Sequence, residues 1–269
     1  MLPSEIGYAR PASLAEALDL LATSEGARVL AGGQTLVNVM KARAASPEIV
    51  VDLGKLEELK GIELGSDGSL ELGAMTTTTE ILESAEARAR PILGEVCAQI
   101  ADVQVRNRGT IGGNICANDP TNHLPPLLVA LGATMTIASK GGERTVSADD
   151  FFLGVYMTAV APGEVLTKVK IPPGRRDGFA SVTIGADGTC IVSAAVSLEG
   201  EPRIAIGCVD AVPHRATDVE KRLDGDAKAA VAGLGATLDP PSDVHAPADY
   251  RRHLAEVVVA RAIEQARSR

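Results

Sequence analysis

Before residue 172 the spacing of apolar and polar positions changes period repeatedly, which predicts short strands interleaved with short helices. Helical spacing is read at residues 14–23, 36–43, 79–84 and 91–101. Within 36–43, Leu36, Val37, Val39 and Met40 suit one face of a short helix, as Ile92, Val96 and Ile100 do within 91–101. The apolar run 27–31 reads as a strand leading into the first of these, and 70–74 alternates as a strand does. Such interleaving predicts an α+β or α/β pattern. The stretch Ile171-Pro172-Pro173-Gly174-Arg175-Arg176-Asp177-Gly178 then predicts a linker, because proline and glycine interrupt both periods. Beyond it, 180–184, 190–198 and 203–209 read as strands, with turns at Asp187-Gly188 and Glu199-Gly200. Helices follow at 217–223, near 228–234, and at 248–266, the last carrying Leu254, Val258 and Ile263. A three-stranded antiparallel meander with helices on one face is the economical arrangement.

Two glycine turns interrupt the first part. In residues 31–36, Gly32 and Gly33 permit positive φ and close approach of a ligand, and Thr35 is placed to cap the following helix. Backbone amides and the positive end of a helix dipole then converge where an anion binds, although an ordinary strand-to-helix turn reads equally well from this segment alone. The second turn comes after Arg106-Asn107-Arg108-Gly109, where Thr110-Ile111-Gly112-Gly113-Asn114 reads as a polar glycine-rich nest. Asp119 before Pro120 offers either a carboxylate for a sugar hydroxyl or a turn-forming Asp. Between the two turns, Thr77 and Glu80 have capping-box spacing. Two anion-directed turns in one domain suggest a diphosphate held between them.

Charge and composition remove other classes. With 26 basic and 35 acidic residues the net charge is −9, and no dense basic stripe disposes the chain toward nucleic acid or an anionic membrane. Aromatics make up 2% with no Trp, so stacking platforms are absent and the core must be aliphatic. No apolar run is long enough to span a bilayer, and the N-terminus lacks a signal-peptide layout, so cytoplasmic residence is the expectation. Cys97, Cys116, Cys190 and Cys208 are too widely spaced for a CxxC motif and read as buried small hydrophobes. The histidines His123, His214, His245 and His253 show no metal-ligand spacing, and GxSxG, HExxH, GxxxxGK[ST] and GxGxxG do not occur. Redox chemistry here would need an organic cofactor.

The ordered series AGGQTLVNVMKAR, GAMTT, QVRNRGTIGGNICANDP and SDVHAPADYRRHLAEVVV resembles the FAD-binding medium subunits of the molybdenum hydroxylases, the xanthine dehydrogenase and carbon monoxide dehydrogenase group. The opening YARPASLAEALDLL is similar as well, so the resemblance covers nearly the whole chain. It implies an α+β protein. A two-part FAD-binding domain of the vanillyl-alcohol-oxidase-like (PCMH-type) fold would occupy 1–173 and a small α+β C-terminal domain 174–269. By position it implies that Ala31, Gly32, Gly33, Gln34 and Thr35, followed by Leu36, form one clamp on the FAD diphosphate, and Thr110, Ile111, Gly112, Gly113 and Asn114 the other. Thr77 and Asp119 match polar positions near the cofactor, and Leu166 resembles a residue beside the flavin ring. No residue is assigned a catalytic role and none a metal.

The same resemblance implies partners: a small subunit with [2Fe–2S] clusters and a large subunit with the molybdenum cofactor, in a dimer of heterotrimers. Electrons would leave through FAD to NAD, a quinone or oxygen. Purines, N-heterocycles, aldehydes and carbon monoxide all remain open as substrates. A stand-alone flavin oxidase, with flavin tethered near His123 or Cys116, and a flavin-free scaffold are the alternatives. Departures from the family pattern fall at His123, which replaces the second Asp of DPxxD, and at Phe179, Ser181 and Thr189, where a Tyr-x-Lys and an aromatic-Ala pair are expected. They remove a cation and an aromatic ring from the flavin's expected surroundings.

Overall fold

Strands Gly7–Ala9, Arg28–Leu30 and Ile49–Asp52 form a small parallel sheet with Ile49–Asp52 in the middle. Parallel neighbours need crossovers, and helices Leu14–Thr23 and Leu36–Lys41 supply them. The first helix has the bounds its periodicity predicts because Ser13 accepts the Glu16 N–H at its start and Ala17, Leu18 and Leu21 are buried. This is a computed structural model, and it describes residues 5–185 and 188–269.

The second sheet is antiparallel, with spatial order Ile62–Leu64, Leu70–Gly73, Val165–Ile171, Thr134–Ser139, Gly142–Ser147. Its inward positions Leu70, Leu72, Met135, Ile137, Val169 and Ile171 meet Ile92, Val96, Ile111, Ile115 and Leu128 in one aliphatic core. Several predicted helices end early. The helix read at 36–43 stops at Lys41, with Arg43 turning to φ 59°, and that read at 91–101 stops at Cys97, with Ala101 at φ 43°. The stretch near 228–234 divides into helix Ala227–Val231 and a 3₁₀ turn Leu234–Thr237 around Gly233 at φ 81°.

The third sheet corrects two expectations. It has four antiparallel strands, Asp177–Ile184, Thr189–Ser197, Arg203–Gly207 and His214–Arg215, and it is covered on both faces. Helix Ala248–Arg267 packs Val258, Val259 and Ile263 against Val192, Ala194, Val196, Ile204 and Ile206. On the other face, Phe179, Ala195 and Ala205 join the core of the second sheet, under the fully buried helix Leu124–Ala130. The segment from Cys190 to Ser197 is buried throughout, so its apolar residues do not alternate as a half-exposed strand's would. Gly200 turns at φ 62° as expected; of the turn at Asp187-Gly188, Asp187 lies outside the described residues.

The predicted linker is shorter than read, because Asp177 and Gly178 already belong to a strand. Asp177 is fully buried against Arg90, which immediately precedes helix Pro91–Cys97. Arg90 donates from Nε to Asp177 Oδ2 at 2.7 Å and from Nη2 to Oδ1 at 2.8 Å. The same guanidinium reaches Ser197 Oγ at 3.2 Å and the carbonyl of Pro172. Glycine at 174 lets the connection pass, since a Cβ there would lie 2.6 Å from Arg90 Nη1. A second tie holds the C-terminal sheet to its helix. Arg251, buried on helix Ala248–Arg267, donates to the carbonyls of Ile191 and Cys208 and to Asp243 Oδ2 at 2.6 Å.

Removing one member of a buried pair strands the other's charge, which costs about 3–5 kcal/mol. Asp177→Ala is therefore expected to lower the unfolding free energy by about that amount, read from the urea midpoint by far-UV circular dichroism; a loss below about 1 kcal/mol would show that water compensates the pair. Asp243 provides a pH-dependent counterpart. Burial pushes its carboxyl up, but the N–H groups of Ala246 and His245 and the Arg251 guanidinium outweigh this and bring it down to about 2. A carboxyl lowered on folding stabilises fully above its unfolded pKa, about 4, and the contribution is lost as pH falls toward 2. The stability advantage of the native chain over Asp243→Asn should thus shrink between about pH 4 and pH 2. A constant difference across that range would remove Asp243 from the acid response.

Candidate functional site

Three segments distant in sequence converge at the glycine turns: 31–35, 74–80 and 108–114. Gly32 lies so close to the second turn that a Cβ would fall 1.8 Å from the Arg108 carbonyl oxygen. At Gly112 a Cβ would lie 2.6 Å from the Ala74 oxygen. Thr77 and Thr110 pair as a single β-bridge, with Thr78 N–H donating to Gly109 O and Ile111 N–H to Thr76 O, both at 2.9 Å. The predicted capping box forms: Thr77 Oγ1 accepts the Glu80 N–H at 3.2 Å, and Glu80 Oε2 accepts the Thr77 N–H at 2.6 Å.

The two turns present their amides differently. Among the described residues, the N–H groups of Gly32, Gly33, Gln34 and Thr35 have no hydrogen-bond partner, and Gly33 takes φ 76°. This is an open row of donors at the start of helix Leu36–Lys41, the arrangement expected of an anion cradle. Thr35 does not cap that helix as predicted; its backbone is already helical and its side chain makes no capping bond.

Residues 110–114 are not the open nest read from sequence. They begin helix Ile111–Ala117, which Thr110 caps by accepting the Gly113 N–H at 3.0 Å. The N–H groups of Ile111, Gly112 and Asn114 donate to Thr76 O, Ala74 O and Thr110 O. Thr110, Ile111, Gly112 and Gly113 therefore brace the floor through backbone contacts. Asn114 Oδ1 is buried and has no partner among the described residues.

Beside the open amides lies a cleft of about 310 Å³ lined by Ala31, Gly32, Gly33, Gln34, Lys41, Asp52 and Arg108, among others. Lys41 and Arg108 were not singled out in the sequence, because nothing local relates them; the fold brings both to the first glycine turn. A row of open donors with two cations, against the single carboxylate of Asp52, fits a dinucleotide with its diphosphate at the turn. FAD meets that requirement.

The other candidates are placed with less economy. Asp119 follows Asn118, which closes the helix in the left-handed region at φ 40°. Asp119 forms the turn that its sequence suggests: Oδ1 accepts from Thr121 N–H at 2.9 Å and Thr121 Oγ1 at 2.7 Å, and Oδ2 accepts from Tyr156 Oη at 3.0 Å. Tyr156, exposed at φ 57° between strands Phe152–Gly154 and Met157–Thr158, gave no sequence signal. Burial, followed by the Asp119 charge, raises its phenol above the ordinary range. Leu166 is buried in the core, one residue before a bulge whose Thr167 carbonyl accepts the Ala74 N–H at 2.9 Å. His123, 4% exposed, packs edge-on against Phe179 with ring centres 5.3 Å apart. Ser181 Oγ donates to Gln99 Oε1 at 3.2 Å, and Thr189 opens one of the two inner strands of the third sheet. Burial pushes the thiols of Cys97 and Cys116 up to about 12.

Residues 4–174 match the family described as the FAD binding domain in molybdopterin dehydrogenase, and residues 179–266 match the CO dehydrogenase flavoprotein C-terminal domain. The carbon monoxide dehydrogenase medium chain of Afipia carboxidovorans is 39% identical, with 100% of this chain and 99% of that one covered. The nicotine 6-hydroxylase medium subunit of Paenarthrobacter nicotinovorans is 36% identical, with 98% of each covered. A solved structure of carbon monoxide dehydrogenase from Hydrogenophaga pseudoflava contains a chain that superposes with a TM-score of 0.94 at 35% identity, covering 100% of this chain and 99% of its own. With both sequence segments matched in order and the fold shared along the chain's length, the chain belongs to the family of FAD-binding medium subunits of the molybdenum hydroxylases.

Proposed function

We propose that this chain is the flavin electron-transfer subunit of a three-component molybdenum hydroxylase. A small partner with [2Fe–2S] clusters would supply electrons and a large partner with the molybdenum cofactor would oxidise the substrate, in a dimer of heterotrimers in the cytoplasm. Bound FAD supplies the capacity to take electrons singly and release them in pairs to NAD, a quinone or oxygen. The chain's own residues bind and orient it. The observation that carries this reading is the open row of amides at Gly32, Gly33, Gln34 and Thr35, beside Lys41 and Arg108. We take residues 1–173 as the FAD-binding domain and 174–269 as the C-terminal domain packed against it.

In this arrangement the amides at 32–35 hold the diphosphate, with Ala31 and Leu36 fixing the turn from strand to helix. Thr110, Ile111, Gly112 and Gly113 hold the opposite wall, and Asn114 offers its unpaired Oδ1 to a donor on the ligand. Thr77 and Asp119 serve chiefly by fixing their own segments, and Leu166 backs the wall from the core. No side chain is assigned proton transfer. The substrate follows from the large partner: the relatives named for carbon monoxide and for nicotine are similar to this chain over nearly all of its length.

Denaturing the purified full chain should release FAD without a covalent remnant, at about one per chain. A flavin that stays attached would support the stand-alone oxidase instead, and failure to bind added FAD would support the scaffold. Within the clamp, Lys41→Ala is expected to raise the FAD dissociation constant about three- to tenfold, as removal of one charge-assisted contact does, and less at high salt. Titration by flavin fluorescence measures this. An unchanged constant at low salt would move the diphosphate away from the cleft.

A further inference from the structure

The cleft has one member whose charge works against its ligand. Among the described residues that line it, Lys41 and Arg108 are cations and Asp52 is the one carboxylate. A diphosphate held by the amides of residues 32–35 is repelled by a carboxylate unless that carboxylate is itself engaged. The sheet places Asp52 there. Strands Gly7–Ala9, Arg28–Leu30 and Ile49–Asp52 run parallel, so their carboxyl ends share one edge. In open sheets with helical crossovers, ligands bind outside that edge. The first glycine turn leaves it after Leu30, the register partner of Asp52. Arg10 leaves it after Ala9, whose own partner is Val51. Neighbouring strands lie about 4.8 Å apart, so Asp52 stands roughly one strand's width from the residue before the glycine turn.

Three groups fix the carboxylate. Oδ1 accepts the Gly54 N–H at 2.8 Å, and Oδ2 accepts the Tyr8 hydroxyl at 2.5 Å and lies 3.5 Å from Arg10 Nε. The backbone folds closely round it, since a Cβ at Gly54 would lie 2.9 Å from Oδ1. The Asp52 side chain is 17% exposed, while Tyr8 and Arg10 are open to solvent. A carboxylate offers about four lone-pair directions. With three partners it keeps room for a further donor, and the Arg10 guanidinium beside it offsets the charge that would repel phosphate. Hydroxyl groups are the donors that a dinucleotide carries next to its diphosphate: a ribose on one side and, in FAD, a ribityl chain on the other.

We propose that Asp52, held by Tyr8, Arg10 and Gly54, is the hydroxyl-binding residue of the cleft and, on the reading of that cleft as the FAD site, accepts a hydrogen bond from a polyol hydroxyl adjoining the diphosphate. Phosphates go to the amides and the two cations, and a sugar-type hydroxyl goes to the single acid. Inorganic diphosphate, which has no such hydroxyl, gains nothing from Asp52 and meets only its charge.

Asp52→Asn removes the charge and keeps an acceptor for the Gly54 N–H. With the full chain, dissociation constants are measured for FAD by flavin fluorescence, and for ADP, FMN and inorganic diphosphate by displacement of FAD. The variant is expected to bind FAD at least about fivefold more weakly, to lose a similar factor with at least one of ADP and FMN, and to bind inorganic diphosphate as well as before or more tightly. Loss with ADP places the ribose at Asp52, and loss with FMN places the ribityl chain there. Unchanged or tighter FAD binding would make Asp52 a repelling charge and nothing more, and equal weakening of all four ligands would make it structural; either overturns the proposal. The native chain supplies a second measurement if the variant does not fold. Carbodiimide-driven amidation mapped by mass spectrometry should label Asp52 in the free chain and be blocked by FAD, while Asp239 and Asp249, exposed on the C-terminal domain, are labelled in both cases. Equal labelling of Asp52 with and without FAD would likewise overturn it. Weaker FAD binding in Lys41→Ala without any effect in Asp52→Asn removes the hydroxyl assignment and leaves the FAD site standing, whereas a native chain that binds no FAD removes both.

Discussion

A carboxylate and a guanidinium removed from water fix the relation between the two parts of this chain. The Arg90–Asp177 pair stands where the antiparallel core ends and the C-terminal sheet begins, and each oxygen of Asp177 accepts a bond from Arg90. Buried ion pairs add little net stability over an apolar substitute, but they tolerate only one geometry. Because Arg90 also binds Pro172 O and Ser197 Oγ, that geometry sets both the connection and the adjacent strand. The sheet can then rest Phe179, Ala195 and Ala205 on the core beneath it.

The glycine turns impose a second constraint of a different kind. Gly32 against Arg108 O and Gly112 against Ala74 O are backbone-to-backbone approaches that no side chain permits. The first sets the edge of the cleft, and both fix spacings that depend on main chain alone. The first turn keeps its amides open while the second spends those of Ile111 and Gly112 on carbonyls from residues 74–76. The asymmetry leaves free donors at the first turn and uses those of the second for bracing.

What the sequence made legible was local. Ser13 before an apolar face set the first helix, and Thr77 with Glu80 announced a capping box three residues wide. Family resemblance reached further than periodicity, since several motifs in order carry information that no single turn does. What stayed hidden depends on contacts between distant segments. The amides of Ile111 and Gly112 are occupied by residues more than thirty positions earlier, so the second turn read as open when it is closed. The face that Cys190 occupies stayed hidden because a bulge, which has no sequence signature here, decides it. Lys41 and Arg108 met only in the folded cleft.

The helix Leu124–Ala130 is buried at all seven positions, and part of its cover comes from Arg203–Gly207. On the ribosome, that cover is made last. At roughly 5–20 residues per second, an aliphatic helix with no exposed face waits several seconds for the strands that enclose it. The nascent chain thus passes through an adhesive stage whose length is set by topology, and chaperone occupancy during synthesis becomes part of how this subunit reaches its partners in usable form.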